Sequence, residues 1–130
     1  MKDIVLIGGG GHCKAVIDVI EQEGRFNIIG IIDKPELLGK NVLGYQIIGN
    51  DSELNNLIKK CNNAVITIGQ IRSPLPRIKL FDTVIKLGFT LPTIVSPRAY
   101  ISHQASIGIG SVIMHDVVVS VSAIIGDNCI

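Results

Sequence analysis

Up to about residue 90, short apolar runs alternate with helical patterns. Ile4-Val5-Leu6-Ile7 is unbroken apolar sequence ending in Gly8-Gly9-Gly10-Gly11. It predicts a parallel strand covered on both faces. From His12 to Glu23, Ala15, Val16, Val19 and Ile20 fall at helical spacing, Lys14 and Asp18 stand at i,i+4, and Gly24 supplies a stop. Phe26–Ile32 predicts a second strand ending at Asp33, and Gly44–Gly49 a short third. Asp51 or Ser52 is positioned to cap a helix through Lys60. Ala64–Ile68 predicts a strand ending at Gly69. Ser73 precedes a helix through Leu87, with Pro74 and Pro76 in the first turn and Gly88 as its stop. Strand–helix alternation of this kind predicts a small parallel sheet with helices on its faces.

The pattern changes at residue 95. In sixes the chain reads VSPRAY, ISHQAS, IGIGSV, IMHDVV, VSVSAI and IGDNCI. The first position is Val95, Ile101, Ile107, Ile113, Val119 and Ile125; the fifth is Ala99, Ala105, Ser111, Val117, Ala123 and Cys129. An unbroken period of six, with an aliphatic residue pointing inward once per short strand, is the signature of a parallel β-helix. The period leaves the handedness open.

Of the 130 residues, 47% are hydrophobic and 18% charged, which excludes a disordered chain. Aromatics contribute only 4%, so Ile and Val must fill the core, and both favour strands. A net charge of +1 argues against a polybasic nucleic-acid binder. Cys13, Cys61 and Cys129 are odd in number and far apart, which suits a reducing compartment and gives no metal-ligand spacing. Ile4–Ile7 is too short for a signal or membrane segment. The expectation is a cytoplasmic protein with no metal, membrane or nucleic-acid partner.

Candidate chemistry lies where the strands end. Gly8 to Gly11 before His12 lets backbone N–H groups approach a phosphate at a helix N-terminus, unless the glycines serve only a tight turn. Cys13 occupies the third glycine position of a dinucleotide fingerprint, so that motif is incomplete. Asp33, with Lys34 beside it, ends the second strand where an acid can accept hydrogen bonds from a ribose or a base, or is a plain loop residue. Gly69-Gln70 follows the next strand on the same sheet edge, and Arg72 is expected to be solvated. His115 precedes Asp116, but neighbours in a strand face opposite ways, so it reads as a surface or interface histidine. His103 reads as solvated, and Cys13 and Cys61 as small core residues.

The Gly-Gly-Gly-Gly-His turn in a βαβ unit, followed by hexapeptides, resembles the PglD/NeuD-type sugar O- and N-acetyltransferases along essentially the whole chain. The resemblance implies an α/β plus β fold. Residues 1–92 would form a small Rossmann-like domain binding a sugar or nucleotide sugar, and 93–130 the first coils of a left-handed parallel β-helix. It further implies acetyl-CoA as cosubstrate, a sialic acid or nucleotide-activated amino sugar as acceptor, and a homotrimer when full length. Gly8, Gly10, Gly11, His12, Asp33, Lys34 and Gly69 would be the substrate-binding set. The family's catalytic histidine lies in an Ile-Glu-His-like stretch about one coil after a Gly-Asp-Asn-Cys-like segment. Here that segment is Gly126–Cys129, so the histidine is expected beyond Ile130, leaving His115 as the weaker alternative. On this basis the chain is expected to be the front part of a longer protein, with little activity alone.

Two other functions remain open on the residues alone. One is an NAD-dependent oxidoreductase built on the glycine turn and Asp33. The other is a non-catalytic sugar-nucleotide-binding module.

Overall fold

A computed structural model of the chain describes residues 1–69 and 73–130. Gln70 and Arg72, noted in the sequence, lie outside the described residues. Strands β1 (Lys2–Ile7), β2 (Phe26–Ile32), β3 (Asn41–Val42), β4 (Tyr45–Gly49) and β5 (Ala64–Ile66) form one sheet in the order β3-β4-β2-β1-β5. All pairs are parallel except β3–β4. From β1 the chain steps outward through β2 to β4, then returns to place β5 on the other side of β1. That reversal opens a crevice at the carboxyl ends of β1 and β5.

The two faces are built by alternation along β1. Ile4 and Leu6 pack with Cys13, Val16, Ile17 and Ile20 of α1 (Gly11–Glu23). Val5 and Ile7 face the other way, against Leu54 and Leu57 of α2 (Leu54–Leu57) and Val84 of α3 (Leu75–Lys86). Gly24, at φ 72, ends α1, donating its N–H to Ile20 O (3.1 Å). Only glycine takes that conformation without strain.

From residue 94, two-residue strands recur every six residues: β6 (Ile94–Val95), β7 (Tyr100–Ile101), β8 (Ser106–Ile107), β9 (Val112–Ile113), β10 (Val118–Val119) and β11 (Ile124–Ile125). Each pairs in parallel with the strand three further on: β6 with β9, β7 with β10, β8 with β11. Three hexapeptides therefore make one coil, and the chain completes two. The fourth hexapeptide position turns the corner. Gly110, Asp116, Ser122 and Asn128 hold it at φ between 55 and 68. Asp and Asn tolerate this left-handed region better than bulkier residues do.

The β-helix and the sheet share one core. Ile94 and Val112 belong to the apolar cluster formed by β1 and α1. Polar ties reinforce the contact. Arg25 Nη2 donates to Thr93 O (2.7 Å), and Val95 N–H to Glu23 Oε2 (3.2 Å).

Three local expectations are corrected. Asp18 pairs not with Lys14 but with His115, because the second coil brings an imidazole 2.8 Å from its carboxylate. The helix expected through Lys60 is short: a 3-10 turn over Asp51–Glu53, then α2, capped by Asn50, whose Oδ1 accepts Ser52 N–H. The apolar residues that a helical face requires run out after Leu57 and Ile58. The strand predicted over Ala64–Ile68 ends at Ile66, where β1 no longer offers a partner.

Candidate functional site

The glycine turn is shaped by its neighbours in two ways. At Gly8 (φ 119) an added Cβ would stand 2.5 Å from Ile68 Cγ2, and at Gly9 2.8 Å from Asp33 Oδ2. The backbone at Gly8 requires glycine, whereas a side chain at Gly9 would displace the Asp33 carboxylate. At Gly10 and Gly11 an added Cβ meets nothing within 4 Å. Both are exposed, and they open a helix with no side-chain cap and no acidic residue in its first turn. Cys13 N–H is taken up by Gly10 O (3.1 Å), but no side chain caps Gly11 or His12, and the positive end of the α1 dipole lies at this exposed turn.

Asp33 is tied to this turn. Its Oδ2 accepts Gly9 N–H (2.8 Å) and its Oδ1 accepts Lys34 N–H (2.8 Å), which fixes the carboxylate at the end of β2. Beside it lies a cleft of about 760 Å³ between the carboxyl edge of the sheet and α3. Gly8, Asp33 and Lys34 line it, with Ile32, Ile68 and Leu80 among its apolar walls. Asn50, Ser52, Lys79 and Thr83 add polar groups that were not anticipated from the sequence. Two signals for them existed: Asn50 follows β4 at the same sheet edge, and Lys79 and Thr83 stand at i,i+4 on α3.

His12 and Gly69 sit on another side of the turn and do not line this cleft. A Cβ at Gly69 would stand 3.7 Å from His12 Cβ. His12 is half-buried, and its Nε2 is buried without a hydrogen-bond partner among the described residues. Burial, with Arg77's charge second, pushes its pKa below the ordinary imidazole value. Beneath the turn, Thr67 Oγ1 donates to Gly8 O (2.5 Å), and burial raises the Cys13 thiol to about 11. Cys13 is thus an inert core thiol.

The structure therefore groups Gly8, Asp33 and Lys34 at the cleft, His12 with Gly69 at the turn's flank, and Gly10 and Gly11 at the open helix end. His115 lies apart from all of them, in the second coil between Ser96 and Asp18. His103 is exposed, and Cys61 is buried with its pKa raised by burial. No helix among the described residues is long and apolar enough to cross a membrane.

These features define a class: an α/β nucleotide-fold domain with a bare helix N-terminus at its crevice, docked on parallel β-helix coils. Residues 3–84 match the PglD N-terminal domain family, and the chain belongs to it. No curated protein matches the chain. Among solved structures, a mutant of perosamine N-acetyltransferase from Caulobacter crescentus, in complex with CoA and GDP-perosamine, is 29% identical with a TM-score of 0.89, covering 98% of this chain and 59% of that one. The acetyltransferase domain of PglB from Neisseria gonorrhoeae FA1090, in complex with acetyl coenzyme A, is 30% identical with a TM-score of 0.87, covering 98% and 60%. UDP-D-quinovosamine 4-dehydrogenase from Vibrio fischeri, at 19% identity and a TM-score of 0.55, shares the fold alone. The chain thus spans about three-fifths of the length of the acetyltransferases it matches, and its coils are those of a left-handed parallel β-helix.

Proposed function

We propose that this chain is the acceptor-binding part of an enzyme that moves acetyl from acetyl-CoA to the amine of a nucleotide-activated sugar. The carrying observation is the uncapped N-terminus of α1 at Gly10 and Gly11, which directly follows Gly9, the residue whose N–H holds the Asp33 carboxylate at the edge of the cleft. The likeness to structures holding CoA, acetyl coenzyme A and GDP-perosamine supports this reading. In it, residues 1–92 bind the acceptor and 93–130 begin the acetyl-CoA-binding β-helix.

Each residue has a role in this reading. The first-turn N–H groups of α1 take the diphosphate. Asp33, already oriented by two backbone N–H groups, accepts hydrogen bonds from the ribose or base in the cleft. Lys34 and Lys79 offset phosphate charge at its rim. His12, kept neutral, offers its Nε2 to the sugar, and Gly69 leaves room beside it. Acetyl-CoA supplies acetyl as an activated thioester. The neutral amine attacks its carbonyl to form the amide C–N bond, the C–S bond breaks to release CoA thiolate, and the proton lost by the amine passes through a base to that thiolate. We assign no base in this chain, because both nitrogens of His115 are already engaged. Self-association completes the reading, through the apolar residues Tyr100, Val118 and Ile124, all exposed on the coils.

Calorimetric titration with GDP-perosamine, GDP and NAD tests this. The expected result is nucleotide-sugar binding that weakens in Asp33→Ala, with no NAD binding. NAD binding without nucleotide-sugar binding would overturn the reading in favour of an oxidoreductase.

A further inference from the structure

Arg77 is fully buried on α3, yet no carboxylate partners it. Its guanidinium forks between two parts of the molecule. Nη1 donates to Ile66 O (2.9 Å) and Ile68 O (3.0 Å), at and just past the end of β5. Nε donates to Asn128 O (3.0 Å), in the second coil. Asn128 answers from Nδ2 to Arg77 O (3.3 Å) and anchors itself to the first coil through its own N–H and Ile109 O (2.8 Å). Nη2 finds no acceptor among the described residues.

An apolar side chain of similar length fills such a space without desolvating a charge. What only arginine supplies is a rigid fork of donors aimed in several directions at once. Both arms matter here. Ile68 presses on Gly8, and the next residue, Gly69, lies against His12. The other polar ties between the two halves lie along α1 and past its end: His115–Asp18 at its middle, and Glu23–Val95 and Arg25–Thr93 at its far end. Arg77 is the tie beside the turn.

We propose that Arg77 is a positioning residue that joins the Gly8–His12 turn and the second β-helix coil into one rigid unit, so that occupancy of the turn is felt at Asn128. The inference rests on the proposed nucleotide-sugar reading for the identity of the ligand alone. The geometric joint stands without it.

Hydrogen exchange by mass spectrometry on the whole chain, with GDP as the probe, tests the proposal. In the unsubstituted chain GDP slows exchange over 8–13 and also over 126–130. In Arg77→Met, protection over 8–13 persists and that over 126–130 is lost. Without ligand, exchange in Arg77→Met rises roughly tenfold at 66–69 and 126–130, a common size for coupling between sites, while β2 and β4 keep their rates. A uniform rise in every element marks an arginine that merely stabilises the fold and overturns the proposal. So does GDP protection of 126–130 that survives in Arg77→Met, or that is missing from an unsubstituted chain in which 8–13 is protected. Should Arg77→Met fail to fold, Asn128→Gly probes the joint from its other side. Glycine suits the left-handed backbone there and keeps the carbonyl, but removes the returning amide, and exchange at 66–69 should still rise. Unchanged exchange there overturns the proposal. If GDP leaves 8–13 unprotected, the nucleotide reading fails, and the ligand-free exchange pattern alone decides the joint.

Discussion

His115 Nε2 lies 2.8 Å from Asp18 Oδ2, while Nδ1 of the same ring lies 2.5 Å from Ser96 Oγ. The three residues come from the second coil, α1 and the first coil. Their chemistry is that of a hydrolytic triad, but their exposure is inverted. Ser96 is 1% exposed and the Asp18 side chain 58%. A nucleophilic serine must face substrate, with the acid buried behind the imidazole. Here the ring is a strut across the junction. Removing it should lower stability by about 1 kcal/mol, the size of one partly exposed hydrogen-bonded pair. Urea denaturation of His115→Ala, Asp18→Ala and the double variant checks this. The double variant should cost less than the sum of the singles, and strict additivity would show that the two side chains do not interact.

The glycines separate by role. Gly8→Ala should destabilise by more than about 1 kcal/mol, because its backbone is left-handed and Ile68 fills the space. Gly11→Ala, inside the first turn, should leave stability unchanged or raise it by up to about 1 kcal/mol, whereas Gly10→Ala, at the extended N-cap where glycine is preferred, should lower it by only roughly a few tenths of a kcal/mol. Yet both should weaken nucleotide binding roughly tenfold, or about 1.4 kcal/mol, by blocking approach to the N–H groups. Thermal melts and calorimetry on the same samples distinguish the effects. Full affinity in Gly10→Ala would remove the phosphate from this turn.

Acid should weaken the fold through His12. Its folded pKa lies below the ordinary 6.5, chiefly from burial and then from Arg77's charge. The unfolded chain therefore takes this proton more readily. The associated stability is complete above about pH 6.5 and is lost as pH falls through the depressed folded value. His12→Gln should flatten the stability curve over that window. Superimposable curves for the two proteins would locate the acid sensitivity elsewhere.

The coils expose large apolar side chains that the proposed self-association would cover. Val118 (67% exposed) pairs with Tyr100 (63%) on adjacent strands, and Ile124 (82%) stands on the next strand along the second coil. Val118→Glu should shift sedimentation toward the monomer while leaving the melting temperature of dilute samples nearly unchanged. A chain already monomeric at high concentration would exclude self-association by this surface.

The coils were readable because every inward slot repeats the same demand. Ile113 and Val119 are buried where the sixfold register puts them. Strand β1 was readable because both faces are covered. Contacts between distant segments left weaker traces. Asp18 had a helical neighbour in Lys14, and only the tertiary fold could offer it His115 instead. Arg77 did leave a signal. It precedes Val84 by seven residues, with Leu80 and Phe81 between, so it stands on the apolar stripe of α3. A charged residue in that stripe marks a buried ionic group. The cleft residues Asn50 and Lys79 were missed because they meet only when two loop-separated elements converge on one sheet edge.

Pairing β6 with β9, eighteen residues later, also bears on how the chain folds. No single hexapeptide can form its ladder until a full coil has closed, so each rung demands a long-range contact before any reward arrives. Ile94 and Val112 find that reward in the same apolar cluster as β1 and α1. The α/β half thus supplies the first coil with contacts that a free-standing solenoid would lack, while later rungs need only the coil before them.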